Sequence, residues 1–272
     1  MLKLEEKGLQ CISIGLFDGW KNFFVLIYQM WKSKKVFSSN MKSNVFSLLF
    51  FWKYGVVLVN GMGRHRGRKS FRFFLLILFR INWKKRIIFQ NYYDFRYYRK
   101  FSSSSIYWVP GSGGSIREVG CSSLDIIVVS RNDKLPIISK AIIDYAGTVS
   151  DKVRFQVIGC DDFSVSSIFD SSTQVIGLGF IPQDDIFKSS SYFFQPYGYG
   201  EGVPHTLVDA IVSKMNIIIS KRDYIGFGLA KLDFKYSVLN GKWVSLEYDI
   251  AHANLLEENV ILSKYIEIIN IH

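Results

Sequence analysis

The stretch 195–220 reads QPYGYGEGVPHTLVDAIVSKMNIIIS and gathers the residue types best suited to chemistry. Pro196 closes a β-branched and aromatic run, glycines recur at 198, 200 and 202, and a run of helical period starts behind Pro204. Glycine lets a backbone approach a ligand closely, and the first turn of a helix offers unpaired N–H groups and positive potential. Together they suit a diphosphate. Glu201 lies inside the turn, where its carboxylate can accept from sugar hydroxyls; Asp209, two helical turns on, can accept from a ribose diol. A plain strand, turn and helix with solvated acids fits the same letters.

The elements that must position these residues can be read from their periods. Short apolar runs at 125–130 (DIIVVS), 153–159 (VRFQVIG), 174–181 (QVIGLGFI), 192–196 (YFFQP) and 216–220 (NIIIS) predict strands. Helical spacing at 135–145 and 204–214, and a short helix at 182–188, fall between them. Strands alternating with helices argue for a mostly parallel sheet covered on both faces. Ligands of such sheets sit at the C-terminal ends of the strands. In the first half, 55–60 (GVVLVN) and 86–91 (RIIFQN) predict parallel strands around a basic, aromatic helix at 69–83, in a sheet of about three strands. The Ser- and Gly-rich segment 101–120 reads as a linker.

Charge divides the 272 residues. Residues 1–100 hold 20 Lys/Arg against 4 Asp/Glu, a net +16; residues 101–272 hold 14 against 19, a net −5. The basic part asks for an anionic partner, either a membrane surface or nucleic acid. No apolar run is long enough to span a bilayer and no cleavable signal stands at the start. Cys11, Cys121 and Cys160 are too far apart for a disulfide framework or a metal site and read as small buried residues in a reducing compartment. His65, His205, His252 and His272 are scattered, and the acid pairs at 161–162 and 184–185 read as helix caps, so neither a metal nor another cofactor is expected.

The 195–220 stretch resembles family 4 retaining glycosyltransferases, whose signature is a Glu-Gly turn with a second acid after seven intervening residues. Glu201, Gly202 and Asp209 match it, with Asp in place of the usual second Glu, and with Lys214 and Asn216 where the family has Gly and Pro. The resemblance implies a GT-B-like α/β fold of two Rossmann-like domains with parallel sheets. It places Gly200, Gly202, Val203, Pro204 and Asp209 on the donor, and Glu201 on the sugar. The segment 129–134 (VSRNDK) resembles the family's cationic loop, so Arg131 and Lys134 would neutralise the donor diphosphate. The pieces 59–67 (VNGMGRHRG) and 87–101 resemble enzymes building bacterial surface polysaccharides, lipopolysaccharide and O-antigen among them. They imply acceptor-side roles for Asn91, Asp94 and His65.

The expected organisation is an incomplete, abbreviated N-terminal acceptor-side domain at 1–115 and a donor-binding domain at 116–272. The expected function is metal-independent, retaining transfer of a sugar from a nucleotide diphosphate sugar to a lipid-linked glycan, on the cytoplasmic face of an anionic membrane. Two alternatives stand beside it: an inactive remnant of such an enzyme, and a nucleic-acid-binding protein using the basic, aromatic stretches, although no recognition motif for nucleic acid is present.

Overall fold

The computed structural model describes residues 20–62, 67–101, 105–122, 125–149, 153–169, 174–196 and 202–270, with the backbone alone at 20–23. Gly200, Glu201, His65, Cys11 and His272 lie outside the described residues.

Ten helices and eleven strands among them build two lobes. In chain order the first lobe contains α1 (Trp20–Lys32), β1 (Lys35–Ser38), α2 (Met41–Leu49), β2 (Tyr54–Val59), α3 (Lys69–Ile81), β3 (Lys85–Phe89), α4 (Tyr92–Arg99) and β4 (Ile106–Trp108). Its four strands lie in the order β1-β2-β3-β4, all parallel. Alternation along the strands decides which side meets what. Val57, Val59, Ile87 and Phe89 pack with Leu48, Leu75, Phe79 and Tyr98 of the intervening helices. Val56 and Ile88 point to the other face. The segment 101–120 is not all linker, because Ile106–Trp108 pairs with β3 as the fourth strand.

The second lobe holds β5 (Asp125–Val129), α5 (Leu135–Ala146), β6 (Arg154–Ile158), α6 (Asp162–Ser166), β7 (Val175–Gly179), β8 (Tyr192–Gln195), α7 (His205–Val212), β9 (Asn216–Ser220), α8 (Lys221–Phe227), β10 (Lys235–Val238), β11 (Trp243–Glu247) and α9 (Ile250–Asn254). Its sheet runs β10-β11-β9-β8-β5-β6-β7, parallel from β9 to β7, with β11 and β10 antiparallel at one edge. Ile127 faces the α7 side with Leu207 and Ile211, while Ile126 and Val128 face α5 with Ile138 and Ile142. The sheet is therefore covered on both sides. The chain starts at β5, winds out to β7, then returns to β8 beside β5 and winds the other way.

The last helix, α10 (Glu258–Asn270), crosses back to the first lobe. Ile261 and Ile268 cover Val56, Ile88 and Val109 on the sheet face the other helices leave open. The Arg86 guanidinium donates to the Ile268 and Ile269 carbonyls at 2.7 and 3.1 Å. Tyr265 Oη donates to the Gly111 carbonyl at 2.7 Å and accepts from Gln90 Nε2 at 2.9 Å. Burial pushes the Tyr265 phenol up to about 12, so it stays a donor. Among the described residues no helix is long and apolar enough to cross a membrane.

Candidate functional site

Reversal of strand order between β5 and β8 creates a crevice, because the loops leaving the two strands turn to opposite faces of the sheet. Arg131 follows β5 and Gly202 to Pro204 follow β8, so both sequence-matched segments leave neighbouring parallel strands at their C-terminal ends. Close packing shapes that edge. Gly159, which ends β6 with φ +88°, stands where a Cβ would lie 2.2 Å from the Ser130 carbonyl oxygen. Pro204 is extended (φ −59°, ψ 137°) and starts α7 with no side-chain cap, which leaves the first turn's N–H groups to other acceptors.

The first lobe presents its own strand ends to this edge. A Cβ at Gly202 would lie 2.8 Å from Gln90 Cβ and 3.2 Å from the Asn60 carbonyl oxygen. Asn60 follows β2 and Gln90 follows β3, so the C-terminal ends of both sheets meet across the lobe boundary. A second contact lies at Gly228 (φ +76°), against the rings of Tyr92 and Trp108. Val203 is buried in the second lobe's core.

The cations of the β5 loop have a partner that the sequence reading passed over. Asp133 sits between them, with Oδ1 3.3 Å from Arg131 Nε and Oδ2 3.4 Å from Lys134 Nζ. Arg131 is largely exposed, while Lys134 is partly covered. A diphosphate arriving here would take the place of that carboxylate. The neighbouring Asp161 caps α6 through Ser164 N at 2.8 Å and accepts from Asn132 Nδ2 at 2.8 Å. Its hydrogen bond from the Ser164 backbone, and next that from the Ser164 hydroxyl, hold its carboxyl below the usual range. Asp162 accepts from Gly177 N at 3.0 Å. Asp184 contacts Arg117, and Asp185 meets Lys188 at 2.7 Å.

Asp209 is buried at 2% exposure and is tied to the segment joining the lobes. Oδ1 accepts from Ser115 N at 2.8 Å and lies 3.5 Å from His205 Nδ1. Oδ2 accepts from Gln183 Nε2 at 3.2 Å and lies 3.9 Å from Arg117 Nε. A ribose diol reaching this carboxylate would compete with those donors. Nothing in the spacing of 195–220 betrays Ser115 or Arg117, which lie about 90 positions earlier in the chain.

On the first-lobe side, Asn91 is the N-cap of α4 and accepts from Asp94 N at 3.1 Å. Both side chains are buried. They stand at the C-terminal end of β3, beside Gln90 and hence beside Gly202. Of the cysteines, Cys160 is buried as expected, whereas Cys121 is exposed, because it lies in the irregular stretch between the lobes. Among the described residues no group of three or more His, Cys, Asp or Glu is placed to hold a metal ion.

No family model matches the sequence, and no curated protein matches it. The fold does have solved counterparts. The structure titled "Crystal Structure of TarM" superposes with a TM-score of 0.60 at 12% identity, over 92% of this chain and 58% of that one. The chain thus spans little more than half of TarM's length. The GtfA/B complex aligns with a TM-score of 0.49 at 10% identity, over 74% of this chain and 45% of the other. The architecture is α/β and GT-B-like, with two parallel-rich sheets of four and seven strands.

Proposed function

We propose that the chain binds a nucleotide diphosphate sugar at the crevice between β5 and β8 and transfers the sugar to a glycan acceptor. One observation carries the reading. The loop bearing Arg131 and Lys134 and the Gly202–Pro204 segment that opens α7 follow adjacent strands at the switch point, with the strand ends of the first lobe opposite Gly202. Fixed cations and a helix N-terminus aimed at one spot stabilise a diphosphate as it departs. In this reading Arg131 and Lys134 exchange Asp133 for the diphosphate, and Gly200, Gly202, Val203 and Pro204 let the backbone close on it. Glu201 orients the sugar. Asn91 and Asp94, with His65, border the acceptor side.

The bond from the anomeric carbon to the diphosphate breaks while the acceptor oxygen bonds to the same face, so configuration is retained. The acceptor's proton passes to the departing diphosphate oxygen, and no metal enters the step. The acceptor is a lipid-linked glycan of a surface-polysaccharide type, met at the inner face of the membrane. Incubating the protein with UDP, GDP and CDP sugars and a lipid-linked acceptor should give a glycosylated product with one donor, lost in Glu201→Ala. Absence of product with every donor class, from protein that binds the nucleotide, would contradict transfer.

A second reading, a nucleotide-binding remnant that no longer transfers, draws on Asp209. Its carboxylate is already engaged by Ser115 N and Gln183. Nucleotide binding without sugar release would favour it.

A further inference from the structure

We infer that the outer face of α3, continued by the turns at 50–54 and 82–84, is a docking surface for an anionic membrane. Between Asp18 and Asp94 the sequence has no Asp or Glu, yet holds 15 Lys/Arg. The structure folds most of that segment into the first lobe, whose outside is apolar as well as basic. α3 turns Leu75, Leu78 and Phe79 into the core. Its opposite side carries Phe73, Phe74, Ile77 and Ile81, all large and exposed, with Arg80 among them.

That face continues beyond the helix end. Trp83 follows at 66% exposure, and Lys84 Nζ lies 5.0 Å from its ring and 5.2 Å from the ring of Tyr54. Tyr54 leads into exposed Trp52 and Phe51, whose rings meet edge to face at 5.1 Å. Side chains with an apolar body and a polar or cationic tip suit the headgroup layer, and Phe and Ile reach the acyl boundary below it. Lys and Arg near the surface add attraction to anionic lipid. The aliphatic members separate lipid from nucleic acid, since Ile77 and Ile81 have no ring on which a base can stack.

Direction matters too. α3 begins after the C-terminal end of β2, the edge that faces the crevice, and runs back to the start of β3. Phe73 therefore lies toward the crevice, and Trp83 at the far pole of the lobe. The patch thus runs along the side of the lobe, from the crevice end to the far pole.

Flotation of the full chain with vesicles tests this without requiring sugar transfer, so its outcome is separable from that of the proposed activity. The protein should bind vesicles of phosphatidylcholine mixed with phosphatidylglycerol and not phosphatidylcholine alone, with binding weakened by salt. Phe73→Ser with Ile77→Ser should lower binding about tenfold or more. Both side chains are exposed, so the melting temperature should stay at the wild-type value. Tryptophan emission should shift to the blue on binding, since Trp52 and Trp83 are exposed on this face. Failure to float with anionic vesicles, or flotation that the double variant leaves unchanged, would overturn the proposal. So would concentration-dependent self-association or RNA binding that the double variant abolishes while vesicle binding is absent.

Discussion

Asp133 holds Arg131 and Lys134 by contacts of 3.3 and 3.4 Å, and that arrangement sets what each substitution should do. Asp133→Asn removes the carboxylate that competes with an incoming diphosphate for Arg131 and Lys134, without altering the backbone. Nucleotide diphosphate affinity should then rise about two- to fivefold at low salt, the scale of an exposed ion pair, and the gain should fade as salt rises. Calorimetric titration reads it directly. Asp209 behaves in the opposite way. Asp209→Ala would leave the Ser115 N–H and the Gln183 amide without their acceptor, while Arg117 keeps Asp184. A cost of about 1–3 kcal/mol in a denaturant melt is expected. An unchanged melt would mean that the linker is held by other contacts.

Lys85 offers a pH test at the same scale. Fully buried, it donates to the Phe50 carbonyl at 2.6 Å and to Asn82 Oδ1 at 2.7 Å. Burial lowers its pKa to about 8. The unfolded chain keeps a lysine near about 10.4, so between these values the unfolded state binds more protons and stability rises with pH. The penalty for the buried charge is complete below pH 8 and disappears toward about pH 10.4, a gain of about 3 kcal/mol. Lys85→Met should lack this rise when both proteins are melted at pH 7 and pH 10.

At the scale of elements, glycines mark where strands and lobes come too close for a side chain. Gly202→Ala would press a methyl group against Gln90 Cβ, 2.8 Å away across the lobe boundary. Overpacking of this kind costs about 1–3 kcal/mol and would move the turn away from the crevice. A lower melting temperature together with weaker nucleotide binding is the expected pair of results. The five parallel strands of the second lobe were legible because each is a β-branched or aromatic run bounded by Gly, Pro, Ser or Asn, with helical spacing between runs. Ile106–Trp108 was not legible, being three residues between serines and the 110–114 turn. β1 is a four-residue KVFS with one Lys, and it becomes a strand because Lys35 to Ser38 find β2 as a partner. Asp133 was also missed. Its role depends on the 3-10 turn at Asn132–Lys134, which brings the carboxylate between two neighbours in sequence.

For the whole molecule, α10 couples the lobes. Its residues follow the second sheet in sequence but bury Val56 and Ile88 of the first. Periodicity reveals an amphipathic helix but not which sheet it will cover, so this packing could not be read in advance. Ile261→Ala should cost about 2–5 kcal/mol, as for a fully buried aliphatic side chain. It should also loosen the first lobe, seen as faster amide exchange in β2 and β3. Confinement of the faster exchange to the second lobe would show that α10 does not brace the first sheet. The shared two-lobed architecture with TarM, at 12% identity, is evidence for the fold. The proposed activity is argued from the crevice residues instead.

A thermal-shift titration with UDP, GDP, CDP and the corresponding nucleotide sugars, on wild type beside Arg131→Ala, is the sharpest test of the proposed donor site. A saturable rise with one base is expected, about 2.7 kcal/mol of stabilisation at a ligand concentration near a hundred times Kd, that Arg131→Ala largely removes. A folded protein that no nucleotide shifts, or a shift that Arg131→Ala leaves intact, would contradict it.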